Sequence, residues 1–298
     1  MTDTEWERTL PPYITAGVLD GILSRALAED IGQGDLTTEW TVSPTSTGRA
    51  ALIAKENGIF AGAQLAQRLF ELLDPGVSVT WERLDGDSLS RGDTFGYLQG
   101  PLRAILTGER VMLNFMQRMS GIATRTHAYV RVLEGTTTRI LDTRKTVPGL
   151  RHLDKWAVLI GGGVNHRLDL SDEIMIKENH IQAAGGLAQA IRAVAERNSG
   201  IPVVVEIERL EQIDPALATG AVDRLLLDNM VKIDGTGSAD TSMLAEAVRM
   251  TSGRAATEAS GNITLATAGE IARTGVDYIS VGELTHSVRA LDISLLIQ

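Results

Sequence analysis

The sequence predicts an α/β protein, with a carboxy-terminal β/α barrel-like domain preceded by an α+β sandwich domain that carries an antiparallel sheet. Three observations predict this. Strand-type and helix-type runs alternate through the second half, which implies a parallel sheet. The first third alternates apolar and polar residues between glycine turns, the pattern of an antiparallel sheet with one wet face. A chain of 298 residues with 43% hydrophobic residues is long enough to bury two ordinary cores.

In chain order, GRAALIAKENGIFAG, VSVTWERLDGDSL and DTFGYLQGPL supply the antiparallel strands. A helical pattern over residues 106–133 follows, with Val111, Phe115, Met119 and Ile122 at near-helical spacing; it reads as core and as the domain junction. Strands are then expected at RILDT (139–143), EIMIK (173–177), VVVEIE (203–208), RLLLD (224–228), AATEAS (255–260) and YISVG (278–282), each aliphatic or β-branched and ending on polar residues. Between them, GLAQAIRAVAER places Leu187, Ile191 and Val194 on one helical face. DTSMLAEAVRM opens on the capping candidates Asp240 and Thr241, and TLATAGEIARTG closes on Gly275. Six such units imply a closed or nearly closed barrel. The expected domains are 1–120 and 121–298, leaving open a return of the last residues to the first domain.

Composition removes several function classes. Without cysteine there is no disulfide framework, thiolate metal site or cysteine nucleophile, and a reducing cytoplasm suits the chain. MTDTEWERTL lacks the basic and apolar regions of a secretory signal, and no apolar run approaches the ~20 residues that cross a bilayer. A net charge of −10 argues against nucleic acid as a partner. Against that background, residues 139–167 concentrate Arg139, Arg144, Lys145, Arg151, Lys155, Arg167, His152 and His166 against only Asp142 and Asp154. This suits a pocket for a small polyanion; a solvated helix face is the alternative.

The reactive groups of β/α barrels lie at the carboxyl ends of the strands. Those positions here are Thr143, Arg144, Lys145, Lys177, Glu206, Glu208, Asp228, Glu258, Ser260 and Gly282, a strongly charged set. Period two puts Glu206 and Glu208 on one strand face, so both carboxylates are expected at the mouth if the valine face packs outward. Buried carboxylates need a cation, either the basic stretch or a divalent metal held with Asp228. EASGNIT and SVGELTHS offer glycine-containing loops for phosphate, the first leading into a helix near Thr264. Lys177 at a strand end also suggests Schiff-base chemistry, although Glu178 is adjacent. Arg118 and Arg125 read as helix-surface charges or interface partners.

The strings ILDTRKTVPGLRHLDKWAVLIGGGVNHR, IKENHI, VEIERLEQ, LLLDNM, EASGNIT and TGVDYISVGELTHSVRALDISL closely resemble the quinolinate phosphoribosyltransferase family, as do EDIGQGDLTTE and TGERVMLNFMQRMSGIAT. The likeness runs from about Leu27 to the end, and the DTRKTxPG and GGGxNHR pair is highly specific. It implies a reaction of quinolinate with phosphoribosyl pyrophosphate and Mg²⁺, giving nicotinate mononucleotide, pyrophosphate and CO₂ in NAD biosynthesis. It further implies substrate contacts from Arg110, Thr143, Arg144, Lys145, His166, Arg167, Lys177, Glu206, Asp228, the loop Ser260, Gly261 and Asn262, and the loop Gly282, Glu283 and Leu284. Lys145, Glu206 and Asp228 are expected to act in catalysis, with Glu206 and Asp228 as the metal ligands. The family also implies a homodimer or higher homo-oligomer with shared sites, in which a second subunit supplies Arg110. Asn262 departs from the pattern, standing where some relatives are expected to carry glycine.

Overall fold

The computed structural model describes residues 10–197, 200–233 and 238–298; most of the amino-terminal stretch read for a secretory signal lies outside them. In chain order the elements are α1 (Ala16–Ile31), α2 (Leu36–Thr41), β1 (Thr47–Ala54), β2 (Gly58–Ile59), α3 (Ala63–Leu73), β3 (Ser78–Trp81), β4 (Ser88–Leu89), β5 (Thr94–Pro101) and α4 (Leu102–Val132). Then come β6 (Arg139–Leu141), α5 (Arg151–Ile160), β7 (Ile174–Ile176), α6 (Glu178–Ala183), α7 (Leu187–Ala195), β8 (Val203–Ile207), α8 (Ile213–Leu217) and β9 (Arg224–Asp228). The last are β10 (Lys232–Ile233), β11 (Ala239–Asp240), α9 (Ser242–Thr251), β12 (Ala256–Ser260), α10 (Leu265–Ala272), β13 (Tyr278–Ser280), α11 (Glu283–His286) and β14 (Ile293–Ile297).

The chain divides into two units. The first holds the residues up to His127 together with Thr146–Gly162 and Thr285–Gln298; the second holds Ala128–Lys145 and Gly163–Leu284. A single cut after residue 120 therefore misses an excursion, while the return is the one the sequence left open. The return has a main-chain cause: β14 pairs antiparallel with β1, Ile293 opposite Ala54 and Ile297 opposite Ala50. Gly121 of α4 makes room for it, since a Cβ there would stand 2.2 Å from the Arg289 carbonyl oxygen. The excursion is held by ion pairing within the first unit. Arg118 of α4 donates from Nε and Nη2 to the two oxygens of Asp154 on α5, both at 2.8 Å, with Asp154 fully buried. Arg118 is thus a structural cation paired inside the first unit, where the sequence suggested a helix-surface charge or an interface partner.

The first unit builds an antiparallel sheet of order β14-β1-β5-β3. Its core joins Leu52, Phe95 and Leu98 of the sheet to Leu65, Leu69 and Phe70 of α3 and to Leu19 and Leu23 of α1, none of them solvent-exposed. On α4 the predicted stripe of Val111, Phe115, Met119 and Ile122 is buried as its spacing requires. Thr15 caps α1 by accepting from the Val18 N–H at 3.3 Å, and Asp35 caps α2 by accepting from Thr38 at 3.0 Å.

In the second unit six parallel strands stand in the order β6-β13-β12-β9-β8-β7. Successive strands are neighbours and the last, β13, pairs with the first, β6, leaving the only unpaired seam between β6 and β7 among the described residues. The sheet is therefore a six-stranded, nearly closed barrel. Its seam falls where the intervening chain departs into the first unit. Register sorts the side chains. Val203, Val205, Ile207, Leu225 and Leu227 share one face and are buried, whereas Glu206, Arg224, Leu226, Asp228, Glu258 and Ser260 share the other. Among the described residues no helix is long and apolar enough to cross a membrane.

Candidate active site

The polar face of the second unit's sheet has two poles. At the ends of β8 and β9, Glu206 accepts from Lys177 Nζ at 3.0 Å, and Ser260 of β12 stands in register with Asp228. Burial, then the charge of Glu206, push the Asp228 carboxyl above its usual range, against the hydrogen bond from Ser260 and the charges of Lys177 and Lys145. A carboxyl raised by a neighbouring carboxylate suits a cation between the two. Mg²⁺ typically takes one or two protein carboxylates and completes its shell with water and substrate phosphates. Among the described residues no group of three or more His, Cys, Asp or Glu side chains is placed to hold a metal, so the fit is of this open, two-carboxylate kind. The Lys177 ammonium is paired with Glu206, the opposite of the apolar pocket that a Schiff-base lysine needs.

The second pole is cationic. The loop after β6 and the segment bridged to it carry Arg144, Lys145, His166 and Arg167. Asp142, fully buried, pins that segment by accepting from Asn165 Nδ2 at 2.6 Å and from the His166 N–H at 2.8 Å, while Val164 pairs with Leu141. Thr143 accepts from the Lys145 N–H at 3.0 Å and so folds the strand end over. Burial, then the neighbouring Arg144, lower the Arg167 guanidinium from its usual range. Neither guanidinium makes a salt bridge among the described residues, and Arg144 Nε is a buried donor with no hydrogen-bond partner there. Two adjacent cations, one with an unspent buried donor, are arranged for an anion the chain does not itself contain.

The glycine loops occupy the same rim. After β12, Gly261 and Asn262 both have positive φ, 96° and 54°, so Asn262 takes the left-handed conformation that some relatives were expected to reach with glycine. A Cβ on Gly261 would lie 2.1 Å from Asn229 Oδ1, and the Asn229 N–H donates to the Ser260 carbonyl at 2.9 Å. The loops after β9 and β12 are thus interlocked, and the chain enters α10 directly. In the loop after β13, Leu284 is fully buried and Glu283 accepts from the Tyr129 hydroxyl. What remains for a ligand there is chiefly backbone.

Several expectations from the sequence need correcting. Glu208 lies beyond the end of β8 and is exposed, whereas Glu206 is half-buried. Lys155 is completely buried in α5, and Arg151 donates to Thr146 at 3.1 Å, so both leave the cationic stretch for the first unit. Glu258 is an interior residue, not a rim residue. Arg110 is exposed on α4 in the first unit, whereas the other named site residues belong to the second. The sequence reading missed Asp142, Asn165, Glu173, Arg224 and Ser280. For Asp142 a signal existed: an acid between a strand and a run of cations, at the parity of the buried Ile140.

Comparison with known proteins identifies the family. The family profile for the quinolinate phosphoribosyl transferase C-terminal domain matches residues 122–296, and that for the N-terminal domain matches 35–120. A decarboxylating quinolinate phosphoribosyltransferase of Nicotiana glauca is 48% identical over 295 residues, 96% of this chain and 84% of its own length. A probable carboxylating nicotinate-nucleotide pyrophosphorylase of Bacillus subtilis is 45% identical, covering 93% of this chain and 92% of its own. Plant relatives include proteins named as chloroplastic or mitochondrial. The crystal structure of NadC from Streptococcus pyogenes superposes with a TM-score of 0.88 at 40% identity, over 96% of this chain and 99% of that one. The chain belongs to the quinolinate phosphoribosyltransferase family.

Proposed function

We propose that this chain transfers the phosphoribosyl group of phosphoribosyl pyrophosphate to quinolinate with decarboxylation, giving nicotinate mononucleotide, pyrophosphate and CO₂ in de novo NAD biosynthesis. The observation that carries the reading is the Arg144 and Arg167 pair, two neighbouring guanidiniums without salt bridges among the described residues, facing a rim whose opposite pole is two carboxylates. A planar dicarboxylate satisfies both guanidiniums in bidentate fashion.

Arg144 and Arg167, with Lys177, hold the quinolinate carboxylates and set its ring nitrogen against C1 of the ribose, and His166 supports Arg167 from the protein side. Orientation of this kind contributes several kcal/mol. Glu206 and Asp228 stabilise the positive charge that grows on the sugar as pyrophosphate leaves, and Lys145 meets a phosphate. The backbone of the Ser260–Asn262 and Gly282–Leu284 loops receives phosphate oxygens beside the start of α10. Glu206 and Asp228 would also hold Mg²⁺, which supplies charge to neutralise the departing pyrophosphate. Once the ring nitrogen is glycosylated, its positive charge stabilises the carbanion left at the adjacent carbon by loss of CO₂, and a proton takes that place.

Arg110 is assigned to the site through a homodimer in which each first unit serves the partner's barrel. Cytoplasmic residence is part of the same reading and rests on composition. The purified protein should release CO₂ from quinolinate only with phosphoribosyl pyrophosphate and a divalent cation; no nicotinate mononucleotide under those conditions rejects the function. Glu206→Gln or Asp228→Asn should raise the Mg²⁺ concentration needed for half-maximal rate by roughly tenfold or more, since each trades a charged oxygen ligand for a neutral one. Undiminished turnover in excess chelator rejects the metal assignment alone.

A further inference from the structure

Inside the second unit's barrel lies a second set of charges that the reaction as described does not use. Glu258 is completely buried, and its carboxylate faces Arg224 Nε at 2.9 Å, the Ser280 hydroxyl, and His166 Nε2 at 3.4 Å. Arg224 also pairs with Glu173, whose Oε2 is 3.3 Å from His166 Nδ1. The decisive contact is at the ring's other nitrogen. The Arg167 backbone N–H donates to His166 Nδ1 at 2.7 Å, so that nitrogen presents a lone pair and the ring proton belongs on Nε2, toward Glu258.

We propose that Glu258 is a positioning residue for the dicarboxylate site: it holds His166 as the Nε2–H tautomer, whose Nδ1 takes the Arg167 N–H and so fixes where Arg167 points. Burial alone would raise the Glu258 carboxyl. The His166 contact, with help from Arg224 and Ser280, reverses that and holds it below its usual range, as an anion 3.4 Å from Nε2. Arg167 is tied twice more, its Nη1 donating to the Glu173 carbonyl at 2.9 Å and its Nη2 lying 3.7 Å from Met175 Sδ. Arg224 therefore joins both carboxylates that flank His166, and the same network reaches both ends of the Arg167 residue.

The inference rests on Arg167 as a carboxylate clamp, and its first test needs no substrate. In ¹⁵N-histidine spectra of the free enzyme, the His166 ring, identified by its loss in His166→Gln, should show protonated Nε2 and bare Nδ1. A protonated Nδ1 overturns the proposal whether or not the enzyme turns quinolinate over. Glu258→Gln should then mix the tautomers and raise the KM for quinolinate about tenfold or more, leaving the KM for phosphoribosyl pyrophosphate within twofold; Glu258→Asp should recover part of the loss. Ser280→Ala, which removes one donor from Glu258 without touching His166, should move the quinolinate KM in the same direction by a smaller factor. Equal rises in both KM values, or an unchanged quinolinate KM with altered tautomers, would reduce the network to scaffolding.

Discussion

Arg118 and Arg144 are both shielded arginines, one in each unit, and their surroundings differ completely. Arg118 spends its guanidinium on the two oxygens of a buried carboxylate and on the Thr285 carbonyl at 3.2 Å. Arg144 makes no salt bridge among the described residues, has a second guanidinium for a neighbour and keeps a buried Nε unpaired. A matched buried ion is a statement about folding, since it only offsets its own desolvation. An unmatched one costs stability and is explained by a ligand that is not part of the chain.

The largest effect expected from this contrast is at Arg118. Arg118→Ala strands Asp154, which has no solvent exposure and whose carboxyl burial already pushes upward against Arg118. The loss should be about 3–5 kcal/mol, the usual cost of removing one partner of a buried pair. Replacing both residues by apolar ones, Arg118→Met with Asp154→Leu, should restore much of it. Denaturant titration of the two variants decides the matter, and a single mutant as stable as wild type would break the contrast at its structural end.

At the other end, Arg144→Ala or Arg167→Ala should lower kcat/KM for quinolinate by about 10²–10³, the scale of losing one preorganised charge-assisted contact. Thermal stability should hold or rise slightly, because a like-charge neighbour has gone. A variant that unfolds while the residual folded fraction stays active would place Arg144 with Arg118 as a structural cation.

The contrast also explains what the sequence could and could not reveal. The period-two strands and the spacing of Val111, Phe115, Met119 and Ile122 are local patterns that the fold honours, and the strand ends Arg144, Lys177, Glu206 and Asp228 follow from strand position alone. Arg118 was misplaced because its partner lies far along the chain: the Arg118–Asp154 pair spans 36 residues. Glu258 was assigned to the rim because strand parity gives the face of a sheet but not the depth. Its neighbours Arg224 and Ser280 become visible only when β9, β12 and β13 are set in register. Arg110 was named by family likeness and by nothing local.

Arg110 gives the next prediction. If a second subunit supplies it, mixing Arg110→Ala with Arg167→Ala subunits, each nearly inactive alone, restores one intact site per heterodimer. Activity should approach half the wild-type value per heterodimer after correction for the fraction formed. Mixtures that stay inactive although heterodimers are present would return Arg110 to its own chain's site or remove it from the mechanism.

The smallest effect separates two shielded carboxylates of the first unit. Asp154 has a guanidinium; among the described residues Asp85 has only backbone donors, its Oδ1 accepting from the N–H groups of Gly62 and Ala63 at 2.8 and 2.9 Å where α3 begins. Burial therefore wins at Asp85 and pushes its carboxyl up to about 6, against those two hydrogen bonds. Because the folded value exceeds the unfolded one of 3.8, the native state binds the extra proton between those limits, and stability due to this group falls as pH rises through that window. A displacement of that size corresponds to about 3 kcal/mol as an upper figure. Asp85→Asn keeps an oxygen for both N–H donors and removes the titration. Its stability relative to wild type should be indifferent or slightly worse near pH 4 and better by about 1–3 kcal/mol at pH 7.5. Denaturant midpoints for both proteins across that range measure the difference directly, so other titrating groups cancel. A difference that does not change with pH, or that grows toward acid, would mean that the two backbone N–H groups fully match the Asp85 carboxylate.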